Sequence, residues 1–188
     1  MNDYWIILIC GNRKRKLEPN GMIELCDKLG EFRAENVYVC LRNYHDDFES
    51  LANTIYLFGK HHKKKAKVII AAYSMGCHNS LCYFINRLDR YRIDVESIVL
   101  SDPVAKSRWK MFAFLTFFTK NIILPPVKKL RYFIQRTQFP KGHFIKCRYP
   151  LWEEQIKPEK ILKKKHSEMD DCEEFHLAVK EECELLIK

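Results

Sequence analysis

The chain has 188 residues, 47% of them hydrophobic, with only 6 Gly and 7 Pro, which excludes a linker-rich or disordered protein and suits one globular domain with its own core. Its 33 basic and 24 acidic side chains leave a formal charge of +9, an excess that favours anionic partners without choosing among nucleic acid, a phospholipid surface and acidic small molecules. No run approaches the roughly 18 uncharged residues of a membrane span. The opening "MNDYWIILICGNRKRK" lacks the basic n-region and small-residue cleavage site of a signal peptide, so a cytoplasmic protein is expected.

In chain order, "YWIILIC" (4–10) is strand-like and ends at Gly11-Asn12. "GMIELCDKLGEF" (21–32) places Met22, Leu25, Cys26 and Leu29 on one helical face. "NVYVCL" (36–41) reads as strand, and "FESLANTIYLFGKHH" (48–62) as helix with Phe48, Leu51, Ile55 and Phe58 in period. "AKVIIAAY" (66–73) is a third strand, "SMGCHNSLCYFINRL" (74–88) a helix, and "VESIVLSD" (95–102) a fourth strand. Strands apolar on both faces and alternating with amphipathic helices predict a three-layer α/β/α sandwich around a mostly parallel sheet.

The beat breaks after Asp102. Residues 107–136 are dense in aromatics and edged with Lys and Arg, and Pro125-Pro126 divides them into two expected helices. "GHFIKCRY" (142–149) could be another strand, "EKILKKKH" (159–166) is expected to close the sheet, and 167–188 to form a final helix with Ser167 and Asp170 as a capping box. The eight cysteines form no C-x-x-C pair and mostly lie in apolar runs, so they read as reduced, buried thiols. The metal alternative, Cys172 and His176 on one helix face with Cys183, lacks a fourth ligand, and no metal is expected.

Ser74 stands where the third strand turns straight into a helix, with small residues Ala72 and Gly76 two before and two after. Such a turn projects a serine clear of the sheet at a helix N-terminus, where N–H groups favour developing negative charge. An N-cap is the bland alternative. A nucleophilic serine needs a base, and the base an orienting carboxylate. Asp102 ends the fourth strand and His166 the last, so a parallel sheet brings Ser74, Asp102 and His166 to one rim, in the chain order Ser, Asp, His.

With those segments in view, the chain resembles the α/β-hydrolase family, in a small form like the minimal lipases and cutinases. "IILICGN" corresponds to the strand and oxyanion loop, "AAYSMG" to the nucleophile elbow, and "VLSDP" and "KKKHSEMD" to the triad strands. The resemblance implies Ser74 as nucleophile, His166 as general base and then acid, and the backbone N–H groups of Met75 and Asn12 as oxyanion donors. The first elbow glycine is Ala72 here, and the usual His-Gly of the oxyanion loop is Cys10-Gly11. The family most often carries its acid after a later strand, where residues 127–152 hold no Asp or Glu, so Glu153 and Glu154 stand as alternatives to Asp102. His78 and His176 are expected to pack rather than react.

The resemblance places a cap or lid at 107–139, with Trp109, Phe112 and Phe114 facing an acyl pocket or a membrane surface. The implied activity is hydrolysis of an ester or thioester with no cofactor. Two alternatives from other classes stand beside it. One is a hydrolase-like binding protein without catalysis. The other is a peripheral protein on anionic membrane or nucleic acid, although no nucleic-acid recognition module accompanies the aromatic-basic stretch.

Overall fold

The computed structural model describes residues 2–11, 20–104, 121–138, 140–148 and 153–187. The strands are β1 (Asn2–Cys10), β2 (Val37–Asn43), β3 (Lys65–Tyr73), β4 (Asp94–Ser101), β5 (Asn121–Leu124), β6 (Leu130–Gln135), β7 (Phe144–Arg148), β8 (Glu153–Ile156) and β9 (Lys160–Leu162). The α-helices are α1 (Gly21–Lys28), α2 (Phe48–His62), α3 (Asn79–Arg90) and α4 (Glu173–Ile187).

Six strands form one sheet in the order β2-β1-β3-β4-β6-β9, every neighbouring pair parallel. Two-residue alternation sorts the side chains of each strand between its faces. Ile7, Ile9, Ile70, Ala72 and Leu100 pack beneath α2 and α3, joined by Phe48, Ile55, Leu81 and Phe84. Ile6, Leu8, Ile69, Ala71 and Val99 face α1 and α4, where Met22, Leu25, Phe175 and Val179 close the other core. The near-continuous apolar runs of the central strands follow from this burial on both sides. The chain is thus an α/β protein with a six-stranded parallel sheet and helices on both faces.

Two of the helices, α1 and α2, start where side chains satisfy the open N–H groups. Asn20 Oδ1 accepts from Ile23 N–H at the head of α1. Asp47 Oδ1 accepts from Glu49 and Ser50 N–H at the head of α2. The order of strands turns around between β1 and β3, which puts a crevice at the carboxyl ends of these two strands.

Three expectations need correction. Residues 74–88 are not one helix: a 3-10 turn, Ser74–Cys77, is followed by α3, with His78 between them at φ −113° and ψ −113°. The described half of the supposed helical insert is extended. β5 joins β7 and β8 in a second, small sheet, and β6 takes a place in the main one. "NIIL" and "LRYFIQ" are too short to carry a helical period, and their Ile, Tyr and Phe favour strand. The final helix begins at Glu173 rather than Ser167. A short 3-10 turn, His166–Glu168, precedes it, and Glu168 rather than Asp170 closes that turn by accepting from Lys165 N–H at 2.9 Å.

Candidate active site

The crevice at the carboxyl edge brings Ser74, His166 and Asp102 together. Ser74 Oγ lies 2.9 Å from His166 Nε2, and His166 Nδ1 lies 2.5 Å from Asp102 Oδ2. An ionised carboxylate only accepts, so Nδ1 carries the proton and Nε2 is left to accept from the serine hydroxyl. Ser74 and Asp102 are buried, while the imidazole keeps 20% of its side chain exposed. Fixed order and access at the base are what proton transfer requires.

The backbone is strained at two of the three. Ser74 has φ 54° and Asp102 φ 43°, the left-handed region that non-glycine residues seldom occupy. Each such position costs on the order of 1–3 kcal/mol and persists only where surrounding structure dictates it. The surroundings here are specific. Ser74 C=O accepts from Val104 N–H at 3.1 Å, and Asp102 N–H donates to Phe133 C=O at 2.8 Å. A Cβ on Gly76 would stand 2.8 Å from Ile9 C=O oxygen, and one on Gly11 would stand 2.7 Å from Ser74 Cβ. Both glycines let the elbow sit directly on the end of β1. The small residue after the serine is therefore needed for the reason its spacing suggested.

Asp102 is held by more than the histidine. Gln135, the last residue of β6, donates its backbone N–H to Oδ1 at 3.1 Å and its Nε2 to Oδ2 at 3.0 Å. The amide oxygen of the same Gln135 accepts from Thr137 and Gln138 N–H, so its orientation is fixed. A Cβ on Gly142 would come within 2.1 Å of Asp102 Oδ1, so the loop before β7 can pass only as glycine. Sequence reasoning missed Gln135 and Gly142. A glutamine at a strand end carries no signature of its own, and only the β4–β6 pairing sets it against Asp102.

Neither protein-family models nor curated proteins match this chain. What the site can do rests on its geometry.

Met75 follows Ser74 and has one of the first N–H groups of the 3-10 turn, which lack acceptors within the turn. Asn12, the other expected oxyanion donor, lies outside the described residues, as do Trp109, Phe112 and Phe114. Glu153 and Glu154 sit on β8 in the small sheet, where burial first and then Glu154 push the thiol of Cys147 up. It is Asp102 that meets His166.

A cavity of about 470 Å³ opens against Met75, walled by Tyr44, Phe48, His78, Asn79 and Tyr83. Burial first and then His143 hold the His78 imidazole below its ordinary range, so it faces that cavity uncharged. His176 packs on the opposite face, its Nε2 donating to Asp170 C=O at 2.8 Å. All eight cysteines are free thiols, and burial pushes Cys183 up to about 12 and Cys82 up to about 11. Such thiols are poor nucleophiles and poor metal ligands.

Proposed function

We propose that the protein is a serine hydrolase of the α/β-hydrolase kind that cleaves an ester or thioester through an acyl-enzyme. The observation that carries this reading is the hydrogen-bonded run Ser74–His166–Asp102, with the serine at positive φ on a strand-to-helix turn. The sheet order and the positions of the three residues after β3, β4 and β9 add support, because that topology sets all three at one edge.

In the proposed reaction Ser74 Oγ attacks the substrate carbonyl carbon while His166 Nε2 takes the hydroxyl proton. Asp102 stabilises the imidazolium and keeps its tautomer. The oxygen of the tetrahedral intermediate receives hydrogen bonds from Met75 N–H and, by the family resemblance, from Asn12 N–H. Collapse of the intermediate breaks the bond to the leaving group, which leaves as alcohol or thiol with the proton from His166. Water then attacks the acyl carbon and gives a proton to His166, which passes it to Ser74 Oγ as the acyl–oxygen bond breaks, releasing the acid and free Ser74.

The cavity beside Met75 offers a place for the group flanking the carbonyl. Its aromatic and polar walls suit a compact, polar substituent better than a long acyl chain. Hydrolysis of short-chain p-nitrophenyl esters tests the proposal. The wild-type chain should turn over acetate and butyrate esters, Ser74→Ala and His166→Ala should abolish turnover, and Asp102→Asn should lower kcat on the order of 10⁴-fold. Equal rates in the wild type and Ser74→Ala would contradict it.

A further inference from the structure

We propose that Tyr73 is a positioning residue that ties the nucleophile to its base. This rests on the hydrolase reading of Ser74 and His166, and adds a residue that reading did not contain. Tyr73 ends β3 and directly precedes Ser74, with extended backbone at φ −124° and ψ 140°. The strand alternation sends Ala72 to the α2–α3 core and Tyr73 to the face shared with α1 and α4. That is the side on which the His166 segment returns.

Two contacts follow. The Tyr73 ring lies against the His166 imidazole, centroids 5.3 Å apart and planes 27° from parallel. The Tyr73 hydroxyl donates to the backbone carbonyl of His166 itself at 2.7 Å. One side chain thus holds both the plane of the imidazole and the main chain that carries it. Burial pushes the Tyr73 phenol far above its usual range, so the hydroxyl keeps its proton and remains a donor.

His166 needs this because its own segment is short of regular structure. It opens a three-residue 3-10 turn, four residues beyond the end of β9. Asp102 fixes the imidazole only at Nδ1, and rotation about that bond would swing Nε2 away from Ser74 Oγ. Tyr73 blocks one face of that rotation. Since its backbone is bonded directly to Ser74, any movement of the elbow carries the stacked ring with it. Tyr73 touches the base and no reacting atom, so its effect on rate is through alignment of the Ser74–His166 pair.

The test uses the full chain as wild type, Tyr73→Phe and Tyr73→Leu, with active sites counted by fluorophosphonate titration so that kcat is expressed per competent site. Tyr73→Phe should lower kcat about 10-fold with KM within about twofold. Tyr73→Leu, which also loses the ring, should lower it about 100-fold. A purely structural role would instead lower the count of competent sites and leave kcat per site unchanged, which would overturn the proposal. Proton NMR supplies a reading that does not depend on turnover. The downfield imidazole N–H of the His166–Asp102 bond should be sharp in the wild type and Tyr73→Phe, and broadened or lost in Tyr73→Leu. A chain inert to every ester would sink the hydrolase reading alone. An unchanged resonance in folded Tyr73→Leu would sink the role of Tyr73 alone.

Discussion

A fully buried carboxylate is costly unless donors reach it, and both oxygens of Asp102 are served by His166 and Gln135. The imidazole and the Gln135 amide share Oδ2, while the Gln135 backbone serves Oδ1, so the carboxylate has one orientation. Gln135→Ala keeps the backbone bond and removes the Nε2 donor. A hydrogen bond to a charged group is worth about 1.5–3 kcal/mol, so kcat/KM should fall on the order of 10–100-fold, read in the p-nitrophenyl ester assay. Gln135→Glu replaces a donor with a second carboxylate beside Asp102 and should fall further. If both variants matched the wild type, Asp102 would not depend on Gln135 for its alignment. Gly142→Ala should resemble Gln135→Ala, because its Cβ would displace Asp102 Oδ1 directly.

At the scale of elements, His166 is carried by the stretch between β9 and α4, and the body of the protein pins that stretch at several points. Ser101 Oγ donates to Met169 C=O, Met169 is fully buried, and the first residue of α1 packs against the backbone of Asp170. A Cβ on Gly21 would stand 2.1 Å from Asp170 C=O oxygen and 2.4 Å from Asp171 N. Gly21→Ala should therefore overpack this junction by about 1–3 kcal/mol, visible as a lower denaturation midpoint and slower ester turnover together. A lower midpoint with unchanged turnover would mean that α1 does not help to position His166.

Much at this scale was legible in the residues, for physical reasons. β3 and α2 have long, consistent patterns, and the α2 boundaries, Phe48–His62, coincide with the expected helix because Asp47 caps it and Lys63 leaves it at φ 54°. The small-x-Ser-x-small turn announced the elbow, since close approach to β1 admits nothing larger at Gly76. What stayed hidden depended on partners distant in the chain. β5 is a strand only because β7 lies beside it, and Gln135 and Tyr73 matter only through β4 and the returning His166 segment. The break at His78 had only a weak signal in the sequence, the poor helix formers Gly76 and Asn79 on either side of it.

At the scale of the whole molecule, acid lowers stability in two steps. Burial holds His176 and His78 below the 6.5 of a free imidazole, so between 6.5 and their folded values the unfolded chain binds more protons than the folded one. Stability is thus full above about 6.5 and falls as pH drops through that window, by at most about 1.4 kcal/mol per pH unit for each group. Asp94 and Glu159 are lowered by Lys65 and Arg131, so their contribution is present above the ordinary carboxylate range and is lost only at still lower pH. His176→Gln should reduce the upper step to the His78 share in urea titrations between pH 7 and pH 5 and leave the lower step in place. An unaltered upper step would show that His176 does not contribute to it.

On the proposed reading, the sheet, the elbow and His166 together make Ser74 an activated nucleophile. Labelling of the folded chain with a fluorophosphonate, read by intact mass and peptide mapping, tests it most directly. One adduct per chain is expected, on Ser74, absent in Ser74→Ala and in His166→Ala. A folded, unlabelled wild-type chain, or an adduct that persists in His166→Ala at the wild-type rate, would contradict it.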